Sequence, residues 1–155
     1  MRKLLLSITL LSGLFAATAV AERASFGAGL GVLYNGVGIN LARMDGADFK
    51  YVALGCTTLG YSASYGTTSN CGIGVGWMRS DILSDSGRHG LGIHLGITYN
   101  SHENRDQVEV FAGLPYVYFF SGMDTTGLNL GLTPYLGRHN DENRAGFLLN
   151  LGYQF

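Results

Sequence analysis

Four small sets of side chains in this sequence carry groups that could do chemistry. His94 and Glu109 occur in two consecutive segments of alternating hydrophobicity, each on the more polar side of its segment. Facing each other in a narrow interior, they would form either a charge-assisted pair that satisfies both groups or an acid/base relay. The structural pair is preferred, since a narrow interior is filled by its own side chains. Cys56 and Cys71 flank a turn-like stretch around Ala63-Ser64, and the midpoint of 56 and 71 falls at 63.5. A symmetric hairpin would set them directly opposite, on the face shared by Leu54 and Ile73. A disulfide closing about sixteen residues stabilises by ~3 kcal/mol in the chain-entropy model; the alternative is two separate buried thiols. Ser101-His102-Glu103 and His139-Asn140-Asp141-Glu142 bring hydroxyl, imidazole and carboxylate groups together in sequence. Adjacency alone does not make a triad, because the base must reach the nucleophile in space. No spacing matches a metal-binding loop. These are read as solvated connections, and no catalytic residue, cofactor or metal ligand is assigned.

The elements that must position these groups are strands. Period-2 alternation between turn signals marks eight segments: Phe26–Tyr34, Val37–Ala42, Phe49–Leu59, Cys71–Met78, Gly90–Tyr99, Gln107–Phe120, Gly127–Leu136 and Ala145–Phe155. In the fifth, Leu91, Ile93, Leu95, Ile97 and Tyr99 alternate with Gly92, His94, Gly96 and Thr98. Asn35-Gly36 signals a two-residue hairpin. Residues 101–106 and 138–144 are polar connections. Pro115 and Pro134 interrupt the sixth and seventh segments. A bulge at Pro115 is expected to absorb the excess length of the sixth. Arg79–His89 makes a long connection at the end that holds the termini, the reverse of the usual membrane-barrel pattern.

Composition narrows the class. Of 155 residues 24 are Gly, most alternating with apolar residues, which disfavours helices and suits a crowded barrel interior. Arg2-Lys3, the apolar stretch Leu4 to Ala17 and the Ala19-Val20-Ala21 site read as a signal peptide over residues 1–21, cleaved before Glu22. The apolar run falls short of the ~20 residues that a spanning helix needs. Removing 21 residues from 155 leaves a single domain of 134, residues 22–155, with 8 basic against 11 acidic side chains. That net charge of −3, without a basic patch, disfavours nucleic acid as a partner.

Which face is apolar separates a soluble barrel from a membrane one. The large apolar residues share one face; Gly, Asn40, His94, Thr98, Glu109, Asn129, Thr133, Asn150 and Gln154 share the other, and most charges sit in the connections. That inside-out distribution is expected of a transmembrane barrel. Tyr34 and Tyr99 are expected at the outer rim, and Trp77, Tyr118, Phe120, Tyr153 and Phe155 at the rim holding the termini. In the last segment Phe147, Leu149, Leu151, Tyr153 and Phe155 alternate with Asn150, Gly152 and Gln154. This ending resembles the C-terminal signal by which the assembly machinery recognises outer-membrane barrels, with Phe155 as its terminal aromatic.

Signal peptide, strand number and terminal aromatic together resemble the small outer-membrane barrels of OmpA/OmpX type. The resemblance implies an all-β, antiparallel eight-stranded transmembrane β-barrel in the outer membrane of a Gram-negative bacterium. Its implied partners are outer-membrane lipid, lipopolysaccharide and the barrel assembly machinery. The leading function is a structural or surface-interaction role. An outer-membrane lipid-modifying enzyme is the alternative, and a narrow channel a further one. Lipid A deacylases of similar size carry a His, one intervening residue and then Ser-Asn near the last loop. Here Asn140, Asp141 and Glu142 follow His139, and no nucleophile stands at the matching place.

Overall fold

The fold is described from a computed structural model, over residues 23–62, 66–102, 105–139 and 142–155. Nine strands run in chain order: β1 Arg23–Gly31, β2 Gly36–Asp45, β3 Asp48–Ser62, β4 Gly66–Arg79, β5 His89–His102, β6 Arg105–Gly113, β7 Tyr116–Phe119, β8 Gly127–His139 and β9 Glu142–Gln154. All pair antiparallel, each stave with its neighbour in sequence, and β9 returns to β1. The sheet is thus a closed barrel. β6 and β7 both lie between β5 and β8, so the nine strands make eight staves. The expected signal peptide lies outside the described residues.

The sixth stave breaks at Leu114-Pro115, but nothing is bulged there. Gly113 faces His94 and Tyr135, while Tyr116 faces Leu91 and Leu132, so two residues oppose two on either side. The expected bulge at Pro115 is therefore incorrect. Pro115 still accepts from Gly92 N at 3.1 Å, and Pro134 from Leu114 N at 3.0 Å. Each proline withholds only its missing N–H, and the two losses fall on adjacent rungs. Among the described residues a register shift lies instead between Cys56 and Thr58, opposite Cys71 and Asn70.

The two faces differ sharply in chemistry. Outward side chains are overwhelmingly apolar; Leu54, Ile93, Leu95, Leu128 and Leu149 are all more than half exposed. Asn40, His94, Thr98, Asn129, Thr133, Asn150 and Gln154 are buried inside. Their alternation follows from the strand period of two. Phe26, Trp77, Phe120, Tyr153 and Phe155 are exposed at the end holding the termini, and Tyr99 toward the opposite end. Tyr34 departs from expectation. It is 0% exposed and lies inside the barrel, not on a rim.

The ends are built differently. At the terminal end β2 and β3 join through Gly46-Ala47, but residues 80–88 connect β4 to β5 and residues 120–126 connect β7 to β8. At the other end the β3–β4, β5–β6 and β8–β9 hairpins continue as strands almost to their tips. Residues 101–106 and 138–144, expected as loops, are thus largely strand, since ladder hydrogen bonds require backbone groups rather than apolar side chains. The β1–β2 hairpin is shorter. Its last pair is Gly31 with Gly36, and Val32–Tyr34 forms a single 3-10 turn. Asn35 (φ 53°) and Gly36 (φ 105°) both lie in the left-handed region, as the sequence suggested. The loop nevertheless contains four residues, Val32 to Asn35, instead of two.

Candidate functional site

The interior is filled in two layers. Toward the terminal end Met44, Phe49, Met78, Val117, Phe119 and Met123 form an apolar cluster, with the Phe49 and Phe119 rings 5.7 Å apart. Above it the β1–β2 turn folds inward. Val32, Leu33, Tyr34 and Asn35 are at most 1% exposed. Asn129 donates from Nδ2 to Tyr34 Oη at 2.7 Å; Asn40 donates from Nδ2 to Leu33 O at 3.1 Å; Leu33 N donates to Asn150 Oδ1 at 3.3 Å. Four glycines make room for this plug. A methyl group at Gly152 or Gly29 would overlap the Tyr34 ring, and one at Gly38 or Gly55 would overlap the Tyr34 carbonyl.

His94 and Glu109 do not form a pair. Glu109 faces Thr98 across the β5–β6 ladder, while His94 faces Gly113. The two thus stand four residues apart along the staves, ~13 Å at the rise of a strand. Tyr51 takes the place of Glu109: its Oη lies 2.9 Å from His94 Nδ1, and Phe111 stacks on the imidazole at 5.3 Å between centroids. His94 Nε2 has no hydrogen-bond partner and points to the space in front of Gly74, where the Asn35 amide also lies. A tyrosine and an imidazole sealed by aromatic rings can hold one hydrogen bond and position one another. Among the described residues no carboxylate is hydrogen-bonded to the imidazole, as an acid/base relay would need.

Cys56 and Cys71 are directly opposite in the β3–β4 ladder and are disulfide-bonded, with Cα atoms 3.9 Å apart. They share the outward face of Leu54 and Ile73, so the bond serves as a staple on the barrel wall. Phe155 closes the wall at the other seam. Its N donates to Phe26 O at 2.7 Å, its carbonyl accepts from Ser25 Oγ at 2.9 Å, and its ring packs 5.9 Å from that of Phe26.

Ser101 and His102 lie at the tip of β5, and His139 and Glu142 face each other at the tip of β8–β9. Their side chains, with Glu103, Asn140 and Asp141, lie outside what is described. Among the described residues no three His, Cys, Asp or Glu side chains are grouped closely enough to hold a metal ion. A cluster of exposed charge lies at the terminal rim. There Arg79 bonds Asp81, which holds the Asp81 carboxyl below its usual range, and Asp48 accepts from Trp77 Nε1 at 3.2 Å.

A cavity of about 200 Å³ remains near the hairpin end, and it was not foreseen from the sequence. Thr57 and Asn70 line it from β3 and β4, Thr98 from β5, and Glu109 and Phe111 from β6; Tyr135, Gly137 and Arg138 come from β8, and Arg144 and Leu148 from β9. No lining residue comes from β1 or β2. The inward glycines at 29, 38, 55 and 152 were the available signal for the plug, since such small residues on adjoining staves leave a volume that something must fill. Compared with known protein families, curated proteins and solved structures, the chain matches none of them.

Proposed function

We propose that this chain is an integral outer-membrane barrel, exported by a signal peptide over residues 1–21, that anchors its three tall hairpins at the cell surface in a structural or interaction role. The observation that carries this reading is the inversion of the two faces. Among the described residues, large apolar side chains on the outer face of every stave are at least 38% exposed, while Asn, Gln, His and Thr are buried inside beside the apolar cluster. Water would penalise such a belt at about 25 cal/mol per Å² of apolar surface, whereas hydrocarbon would not. Over the rungs where β1 and β2 complete the ring, the closed ladder also leaves few backbone groups unpaired, as a lipid environment demands.

Two layers of packed side chains argue against an open pore. The sealed His94–Tyr51 contact and the absence of Ser after His139 argue against lipid hydrolysis. Lipopolysaccharide and outer-membrane lipid are the proposed surroundings, and Phe155 is proposed to sit in the strand that the assembly machinery reads. Fractionation of expressing cells with N-terminal sequencing tests the proposal. The expected product starts at Glu22, pellets with the outer membrane and shows heat-modifiable migration. A soluble periplasmic product would refute it, and an altered lipid A acyl pattern on expression would favour the enzymatic alternative.

A further inference from the structure

We infer that the cavity near the hairpin end is a binding site for a single-chain carboxylate amphiphile, with the head group inside the lumen and the chain leaving through a side opening between β3 and β9. The opening follows from the ladder. β1 pairs with β9 only at residues 27–30 against 151–154, and β2 pairs with β3 only up to Val37 and Cys56. Beyond those rungs β3 continues to Ser62, and β9 begins as far up as Glu142. Between them the β1–β2 hairpin has already turned inward, so the wall lacks two staves at this height. Thr57 and Leu148, from the two strands flanking the gap, both line the cavity, which is therefore continuous with the opening.

The chemistry of the lining selects the ligand. Glu109 and Arg138 are already engaged with other groups, so among the charged lining residues Arg144 is the one that complements an anionic head. Arg144 extends from β9 beside the gap, where it can meet a carboxylate bidentately. Asn70 and Thr98 are neutral polar residues of the lining. The outer flank of the gap is greasy. Phe147 and Leu149 on β9 are 71% and 65% exposed, and Val37 at its base is 67% exposed. A volume of about 200 Å³ takes a head group and the first few carbons, not a whole lipid, so the rest of the chain must lie outside along this flank. A cationic head lacks the charge match.

The exit into hydrocarbon rests on the membrane reading above, but occupancy of the cavity does not. Binding is therefore measured on the full mature chain in non-ionic micelles, using decanoate labelled with carbon-13 at the carboxyl. The expected result is a saturable bound resonance at one decanoate per barrel. Arg144→Gln should weaken binding at least tenfold, the scale of one lost charge-assisted hydrogen bond. Leu148→Trp should abolish it by filling the cavity, while decyltrimethylammonium should not compete. Heat-modifiable migration checks each variant, and the exposed Arg144 gives a readout even if Leu148→Trp fails to fold. A decanoate bearing a terminal diazirine, irradiated in bilayers, should label β9 and β3. Non-saturable partitioning, equal affinity in Arg144→Gln, competition by the cationic amphiphile, or label spread evenly around the belt would overturn the inference.

Discussion

Replacing Gly152 with alanine should be among the most damaging single changes in this protein, although it adds only one methyl group. The new carbon would collide with the ring of Tyr34, which is fully buried and bonded to Asn129. Overpacking of this kind costs about 1–3 kcal/mol. Because the three nearest atoms all belong to the Tyr34 side chain, the loss should be largely relieved in a Tyr34→Ala background, with a coupling of at least ~1 kcal/mol in denaturant titrations of folded barrel. Additive losses would show that the turn does not lie in the lumen. A second cycle distinguishes the partners of His94. His94→Gln should couple with Tyr51→Phe but add to Glu109→Gln within about 0.5 kcal/mol, since the acid stands a full four residues away along the ladder.

At the scale of the element, the β3–β4 hairpin depends most on a covalent bond. Its lower part is flanked by β2, but beyond Cys56 that support ends and β3 has a partner only in β4. The disulfide crosses the hairpin at this very height. Converting both cysteines to alanine should lower stability by up to ~3 kcal/mol. It should also speed amide exchange selectively beyond Gly55 and Gly72, while β8 and β9 keep their protection. Uniform loss of protection would contradict a local staple. The pairing of these cysteines was legible in the sequence because antiparallel register is symmetric about a turn, so two positions fix it. The positions of His94 and Glu109 were misread for the same reason. Alternation gives the face of each residue, but not the height at which two strands meet. The number of staves followed from period-2 patterning, whereas their extent, such as strand continuation through residues 101–106, did not, because backbone pairing leaves little trace in side-chain polarity.

For the whole molecule, the interior is closed twice in series, first by the inward turn at 32–35 and then by the Phe49–Phe119 cluster. Shortening the turn to a two-residue Asn-Gly hairpin should therefore leave planar bilayers without conductance. Only a variant that also truncates Phe49 and Phe119 should conduct, and a steady current from the turn variant alone would contradict the second closure. The inward turn was hidden from sequence reading because Val-Leu-Tyr before Asn-Gly extends the alternating pattern of β1, and only packing against glycines on distant staves draws it inside. One seam of the barrel has a consequence for its history. β1 and β9 share four residue pairs, whereas β8 and β9 share thirteen and β3 and β4 fourteen. The halves of every other junction are near neighbours along the chain; only here must the two ends of the polypeptide find each other, at the greatest entropic cost for the fewest rungs. The molecule is therefore a ribbon zipped from hairpins before it is a cylinder. This short seam is expected to be the last to shut and the line along which the cylinder would first part.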